Sequence, residues 1–390
     1  MSFEVKYAER VGQLPVYLFI KLENMRNKAL SEGKDVINLG VGDPDIPTPD
    51  FIVKKMQQAV TRPQNHVYPS NYGTMDFREA AVAWMKRRFG VELDAASEVM
   101  SIIGSKEGLG HLPFAYINPG DVSLIPSLAY PVYNNCTILA GGEVHRMPLT
   151  RENHFIPDLE AIPLDVRKKA KLLFINYPNN PTAAVADKEF FKKVVAFARE
   201  YNIIVCHDAA YSEMTFDGYR PPSFLEVEGA KDVAIEFHSL SKTFRMTGWR
   251  IGFVAGNAEI IKGLFKIKSN IDSGAFGAIQ EAAIEAMEDG DAAIKELTEV
   301  YGQRRDVFVQ GLQKLGWQVE SPKATFYVWA RPPGDVDDEL AVEKLISEAY
   351  IVAAPGSGYG EDGRGFIRFA LTVPIPRLEE ALKRLESISF

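Results

Sequence analysis

The segment HSLSKTFRMTGWRIGF, residues 238 to 253, sets Ser239, Ser241 and Lys242 just past a β-branched apolar run, with Arg250 eight residues beyond the lysine. A lysine that attacks a carbonyl must shed its proton near neutral pH, which requires removal from water or a cationic neighbour. Arg250 supplies such a field and can also bind a phosphate, to which both serine hydroxyls can donate. A lone lysine is ordinarily solvated, so the pattern around Lys242, rather than the residue itself, makes it a candidate nucleophile and acid–base group. In IIVCHDAAYSE, Asp208 ends an otherwise apolar run and Tyr211 follows three residues later. A buried carboxylate needs a cationic partner, and a protonated pyridine nitrogen is one whose ring then acts as an electron sink. Alone, such an aspartate reads as a loop residue or helix cap, and the adjacent His207 reads as structural.

Two further segments follow apolar runs directly. In NYPNNPT, residues 176 to 182, two prolines stiffen a turn and fix the asparagine side chains; Asn180 and Tyr211 can both donate to a phenolic oxygen on such a ring, although a plain turn explains the motif in isolation. In IIGSKEGL, residues 102 to 109, a strand enters a helix whose first turn offers free N–H groups and a positive dipole end, and Ser105 and Lys106 would complete a phosphate cup. Arg368 in FIRFAL can clamp a carboxylate with both guanidinium nitrogens, a geometry no lysine supplies. Gly42, in LGVGDPD, would bring backbone close to the same group. The GVG there lacks the third glycine and the context of a dinucleotide loop.

Taken together, SLSKTFRMTGWRIG, NYPNNPT, the Asp208 and Tyr211 pair and FIRFAL resemble the class I aminotransferases of fold type I, from about residue 36 to the C-terminus. The resemblance implies pyridoxal 5′-phosphate as cofactor, with Lys242 the Schiff-base lysine and Asp208 the partner of the pyridine nitrogen. Asn180 and Tyr211 would bind the phenolic oxygen, while Ser105, Lys106, Ser239, Ser241 and Arg250 would bind phosphate. Tyr130, in SLAYPVY, matches the ring that stacks on the cofactor. Tyr68, in YPSNYG, matches a tyrosine that reaches the phosphate of the neighbouring subunit, which implies a homodimer with shared active sites. The segments RVGQLPVYLF, IVCHDAAYSE and DGYRPPSF are most similar to those of LL-diaminopimelate aminotransferases, which adds Tyr17 and Asn270 to the substrate contacts and implies a role in lysine biosynthesis. In LFKIKSNIDSGAF no arginine is present to pair with a side-chain carboxylate; Lys266 and Lys268 fall at helical spacing and read as solvated. One departure is that Asn71 and Tyr72 stand where better-described relatives carry a glutamate. The alternatives are an aspartate or alanine aminotransferase, a lyase on the same fold, and, from a different class, a regulatory protein on a degenerate aminotransferase domain. The intact Lys242, Asp208 and Arg250 set argues against the last.

These residues must be positioned by a chain of 390 residues, about right for two domains at ~150 residues each. Hydrophobic residues at 46% and charged residues at 25% fit a globular protein, and a net charge of −8 without a basic patch argues against nucleic acid. The longest N-terminal apolar stretch, LPVYLFI, is too short for a membrane span or secretory core. With two cysteines, Cys206 inside an apolar run, the context reads as cytoplasmic. No metal is expected. Short β-branched runs at 98–104, 121–126, 171–177, 203–209, 233–240 and 250–256 alternate with amphipathic stretches such as 187–202, the mark of an α/β fold around a mostly parallel sheet. After about residue 290 comes a long helix, then ATFYVWA, a helix, GFIRFAL and a last helix from Arg377, a smaller α+β unit. The expected division is an arm and part of the small domain at 1–45, a large cofactor-binding domain at 46–285, and a small C-terminal domain at 286–390. The glycine-rich stretch 356–365 reads as a mobile loop.

Overall fold

The computed structural model describes residues 3–15 and 18–390. Its strands, numbered along the chain, are β1 (Ile37–Asn38), β2 (Val99–Ile102), β3 (Val122–Pro126), β4 (Glu143–Met147), β5 (Ala170–Asn176), β6 (Ile204–Asp208), β7 (Ala234–Ser239), β8 (Gly252–Gly256), β9 (Gln318–Val319), β10 (Tyr327–Arg331), β11 (Ile351–Val352), β12 (Ala354–Pro355) and β13 (Ile367–Ala370). Seven of them form one sheet in the order β2-β8-β7-β6-β5-β3-β4. Only β8 runs antiparallel to its neighbours, β2 and β7. The class is α/β with a mostly parallel sheet, as the alternation of runs predicts.

Strands of such a sheet are apolar on both sides because helices cover both faces. In β5, Leu173 and Ile175 pack into one core while Leu172 and Phe174 pack into another on the opposite face. The six apolar runs all appear, with ends shifted by at most two residues. The seventh strand, β4, was not legible. Its EVHRM sequence is exposed or half-buried up to the buried Met147, because it lies at the sheet edge, where charge blocks further pairing.

Register decides where the chemistry collects. Asn176 pairs with Asp208, and Asp208 with Phe237, two residues before Ser239. Because β8 is reversed, its first residue, Gly252, pairs with Ser239 on one side and Ile102 on the other. The carboxyl ends of β2, β5, β6 and β7 and the entry to β8 therefore share one edge of the sheet, where ligands of open α/β sheets bind.

A second, antiparallel sheet has the order β12-β13-β10-β9. The helices Asp291–Lys314 and Ile375–Leu385 cover it through a core containing Phe308, Trp317 and Phe369. β1 pairs in parallel with β11, so the segment before residue 40 lies beside the C-terminal elements. The stretch 356–365 forms two short 3-10 turns and is packed, contrary to a mobile loop: a Cβ on Gly360 would lie 1.9 Å from the Ser127 carbonyl oxygen, and Ser127 donates to Asp362. Its glycines serve close approach. Among the described residues no helix is long and apolar enough to cross a membrane.

Arg304, buried in the long helix, holds both Asp45 oxygens at 2.6 and 2.8 Å and the Leu371 carbonyl at 3.0 Å. Removing one partner of a buried pair strands the other, and Asp45 keeps partial access to water. Arg304→Ala should therefore lower stability by about 2 kcal/mol, read as a fall in thermal midpoint; an unchanged midpoint would show that the pair contributes nothing.

Candidate active site

Lys242 sits in a single helical turn, Leu240–Thr243, that starts as β7 ends. Its Nζ donates to the Gly42 carbonyl at 2.8 Å and lies 5.5 Å from the centre of the Phe326 ring. Burial pushes its pKa down to about 8; Asp43 opposes that shift, while Arg250 and Arg368 reinforce it. A free amine is thus accessible near neutral pH. Gly42 tolerates no side chain here, because a Cβ would lie 2.0 Å from the Tyr327 hydroxyl oxygen.

Asp208 is buried at the end of β6. Its Oδ2 accepts from the Tyr133 hydroxyl at 2.6 Å and its Oδ1 from the Ala210 amide at 3.2 Å. Burial raises its carboxyl pKa, and these two hydrogen bonds partly offset the rise. Tyr133 is itself buried, stacked 5.0 Å from Phe174, so its hydroxyl is fixed in direction. Asn176 closes the other side: Nδ2 donates to the Asp208 carbonyl at 2.7 Å, and Oδ1 accepts from the Asn180 amide at 2.8 Å. On the far face of the sheet, His207 and His238 each lie 2.7 Å from buried Glu236. That network is structural, as expected for His207.

Asn180 connects to a second group. Its Oδ1 accepts from Arg368 Nη1 at 2.9 Å, while Arg368 Nη2 donates to the Gly40 carbonyl at 2.6 Å. Arg368 is fully buried with its guanidinium 4.1 Å from the centre of the Tyr327 ring. The Tyr211 and Tyr327 hydroxyls are 3.0 Å apart, and burial raises the Tyr211 phenol well above its usual range. Tyr133, Asn176 and Tyr327 were not singled out in the sequence. Asn176 lay inside a recognised motif, whereas Tyr133 and Tyr327 carry no local signal that separates them from core tyrosines.

The remaining groups form a cup. The helix Ser105–Tyr116 begins against Arg250, so closely that a Cβ on Gly104 would lie 2.4 Å from Nη2; Gly104 also has φ +78°. Arg250 donates to the Thr247 carbonyl at 2.8 Å and to Ser241 Oγ at 3.4 Å. Lys106 Nζ lies 5.9 Å from the centre of the Tyr130 ring. Ser105, Ser239, Ser241 and Arg250 line one cavity of about 310 Å³ with Lys242 and Asp208. Tyr130, Asn180, Tyr211 and Gly42 border the same space.

A family model for aminotransferase class I and II matches residues 34–385. The chain belongs to that family. It is accordingly a pyridoxal-phosphate-dependent aminotransferase. It is 55% identical to an LL-diaminopimelate aminotransferase of Syntrophobacter fumaroxidans over 98% of this chain and 99% of that one. To the same-named protein of Moorella thermoacetica it is 51% identical over 98% of each chain. Among solved structures, substrate-bound BacF from Bacillus subtilis superimposes with a TM-score of 0.95 at 38% identity, covering 98% of both chains.

The aminotransferase cavity suits its cofactor chemically. It is lined by a buried carboxylate whose hydrogen-bond donors are neutral, by a cup of hydroxyls, guanidinium and helix N-terminus, and by an amine with a lowered pKa. Three expected residues do not line it within one chain. Arg368 has no exposed surface, its guanidinium engaged by Asn180 and the Gly40 carbonyl; Tyr68 is 88% exposed, and Asn270 is exposed near the end of the helix Ala258–Ile271, donating to the Lys266 carbonyl at 2.7 Å. Tyr17 lies outside the described residues. One reading is corrected: Lys268 is not solvated but has no exposed surface, because Glu107 and Asp272 surround its ammonium. Helical spacing alone cannot show that a partner helix covers that face.

The Lys242 shift has a sign that can be tested on cofactor-free protein. Between about 8 and its ordinary 10.5, the unfolded chain holds a proton that the folded chain has released. Stability linked to this residue therefore rises with pH across that window, and the burial penalty is fully present below it. Lys242→Met apoprotein should melt at a higher temperature than wild-type apoprotein at pH 7, with the gap shrinking toward pH 10. Calorimetry showing no gap, or one independent of pH, would contradict the assigned burial.

Proposed function

We propose that this aminotransferase transfers the amino group of LL-diaminopimelate to 2-oxoglutarate by a ping-pong mechanism, as a step of lysine biosynthesis in the cytoplasm. The observation that carries the substrate assignment is identity above half with relatives of that name over nearly the whole of both chains.

When bound, pyridoxal phosphate supplies an aldehyde for the amine and a ring that accepts charge from the substrate α-carbon. Lys242 would hold the cofactor through its amine and would move a proton to and from the substrate α-carbon. Its lowered pKa suits both roles. Asp208, fixed by Tyr133 and Asn176, would keep the pyridine nitrogen protonated. Tyr211 and Asn180 would donate to the phenolic oxygen, and Tyr130 would pack on the ring. Ser105, Lys106, Ser239, Ser241 and Arg250 would bind the phosphate. Arg368 takes the substrate carboxylate with Gly42 backbone beside it; the guanidinium is prepaid in orientation by Gly40 and the Tyr327 ring.

In this reading the arm at 1–45, the large domain at 46–285 and the small domain at 286–390 assemble as a homodimer. Tyr68 reaches the partner's phosphate, and Asn270 and Tyr17 contact substrate. The exposure of Tyr68 and Asn270 in a single chain supports roles completed by a second copy. An amide at Asn270 can meet the zwitterionic far end of diaminopimelate as donor and acceptor, whereas a bare carboxylate is better served by a charged fork.

The decisive experiment compares kcat/KM for LL-diaminopimelate, its meso isomer, aspartate and alanine at saturating 2-oxoglutarate. LL-diaminopimelate should lead; a better rate with aspartate or alanine would reassign the substrate, and release of ammonia with pyruvate would indicate a lyase. Lys242→Ala should bind cofactor yet give no multiple turnover. Mixing it with Tyr68→Phe should restore part of the activity through hybrid dimers, and no recovery would place Tyr68 within its own subunit's function.

A further inference from the structure

Behind the first turn of the helix Ser105–Tyr116 lies a cluster of ionisable side chains that the mechanism above does not use. Glu107 folds back toward the helix start, where its Oε2 accepts from the Ile103 amide at 2.8 Å and from Lys268 Nζ at 3.2 Å. Its Oε1 lies 2.7 Å from His111 Nδ1. Lys268 arrives from the helix Ala258–Ile271, is wholly buried, and also donates to both Asp272 oxygens at 2.8 and 3.0 Å. Glu107, His111 and Asp272 stand close enough together to hold a metal ion, yet the Lys268 ammonium already bonds two of the three. The positive charge of the cluster is built into the chain.

The position of Glu107 poses an electrostatic problem. A carboxylate in the first turn complements the dipole of an empty helix and occupies an amide that would otherwise be orphaned. The same carboxylate opposes any dianion that docks at that helix end, and in a dry site the repulsion is poorly screened. A buried ammonium is itself costly without partners, so its placement against Glu107 calls for a reason beyond packing.

We infer that Lys268 is a positioning residue for the phosphate cup: its buried ammonium neutralises Glu107, so that Glu107 can fix the Ile103 amide at the helix start without repelling a phosphate held by Ser105, Ser239, Ser241 and Arg250. Through Asp272 the same ammonium anchors the chain just beyond Asn270, joining the cup to the substrate-facing loop. The inference rests on the pyridoxal-phosphate reading of the cavity.

The test compares pyridoxal phosphate with pyridoxal, which carries the same aldehyde and ring but no phosphate. Dissociation constants for both are measured by visible absorbance and equilibrium dialysis on cofactor-depleted wild type, Lys268→Met, Glu107→Gln and the double variant, with thermal unfolding as a check on folding. Lys268→Met should weaken pyridoxal phosphate by about tenfold and pyridoxal by less than about twofold. The double variant should recover most of that loss, and Glu107→Gln should bind pyridoxal phosphate at least as tightly as wild type. Equal weakening of both ligands, or no recovery in the double variant, would mean that Lys268 only supports packing and would overturn the inference. If Lys268→Met does not fold, looser phosphate binding by Glu107→Gln overturns it instead. Wild type that binds neither aldehyde would remove the cofactor reading and this inference with it, whereas a Lys268→Met variant that matches a tightly binding wild type would remove this inference alone.

Discussion

Asp208 ends the central strand of a sheet whose two faces are both apolar, and its carboxylate is buried there beside the cavity. A carboxylate in that position is unfavourable unless its oxygens are occupied and its direction fixed. The answer in this fold is a ring of uncharged donors. Tyr133 is clamped by stacking on Phe174, Ala210 offers its amide, and Asn176 holds the Asp208 backbone while also taking the Asn180 amide. Each of these groups comes from a different element, so the end of β5, the end of β6 and the helix Val132–Leu139 must all be in register for the carboxylate to be tolerated. The unmet preference for a full cation is what makes the cavity receptive to a protonated ring.

Opposite Asp208, the protein arranges the reverse problem for Lys242. The amine is held out of water near two guanidinium groups and is therefore easier to deprotonate. A raised carboxyl and a lowered ammonium facing one small cavity are the two shifts expected where proton transfer has to be matched to neutral pH. Both cost folding free energy, and the surrounding cores supply it.

The site also joins the two sheets. Tyr211 follows β6 of the large sheet yet packs in the core of the smaller one, against Phe326 and Tyr327. Arg368, on β13, reaches across to Asn180 and to the Gly40 carbonyl that follows β1. The placement of Arg368 and of the Tyr211 phenol thus depends on the packing of one core against the other.

The sequence by itself determined the fold class, six of the seven large-sheet strands, and the motifs that bear Lys242, Asp208, Asn180, Ser105 and Arg250. Those features are local: a β-branched run declares a buried strand, and the chemical groups sit at its end. What only the tertiary structure decided is non-local. The edge strand β4 has no apolar run to announce it. Tyr133 and Tyr327 became part of the site because distant elements aim their hydroxyls at Asp208 and Tyr211. Lys268 reads in the sequence as one more solvated lysine, because nothing near it along the chain reveals that Glu107, 161 residues away, closes over its ammonium. Spacing along the chain specifies which face of an element a residue occupies, but burial and charge pairing are set by whatever other element covers that face.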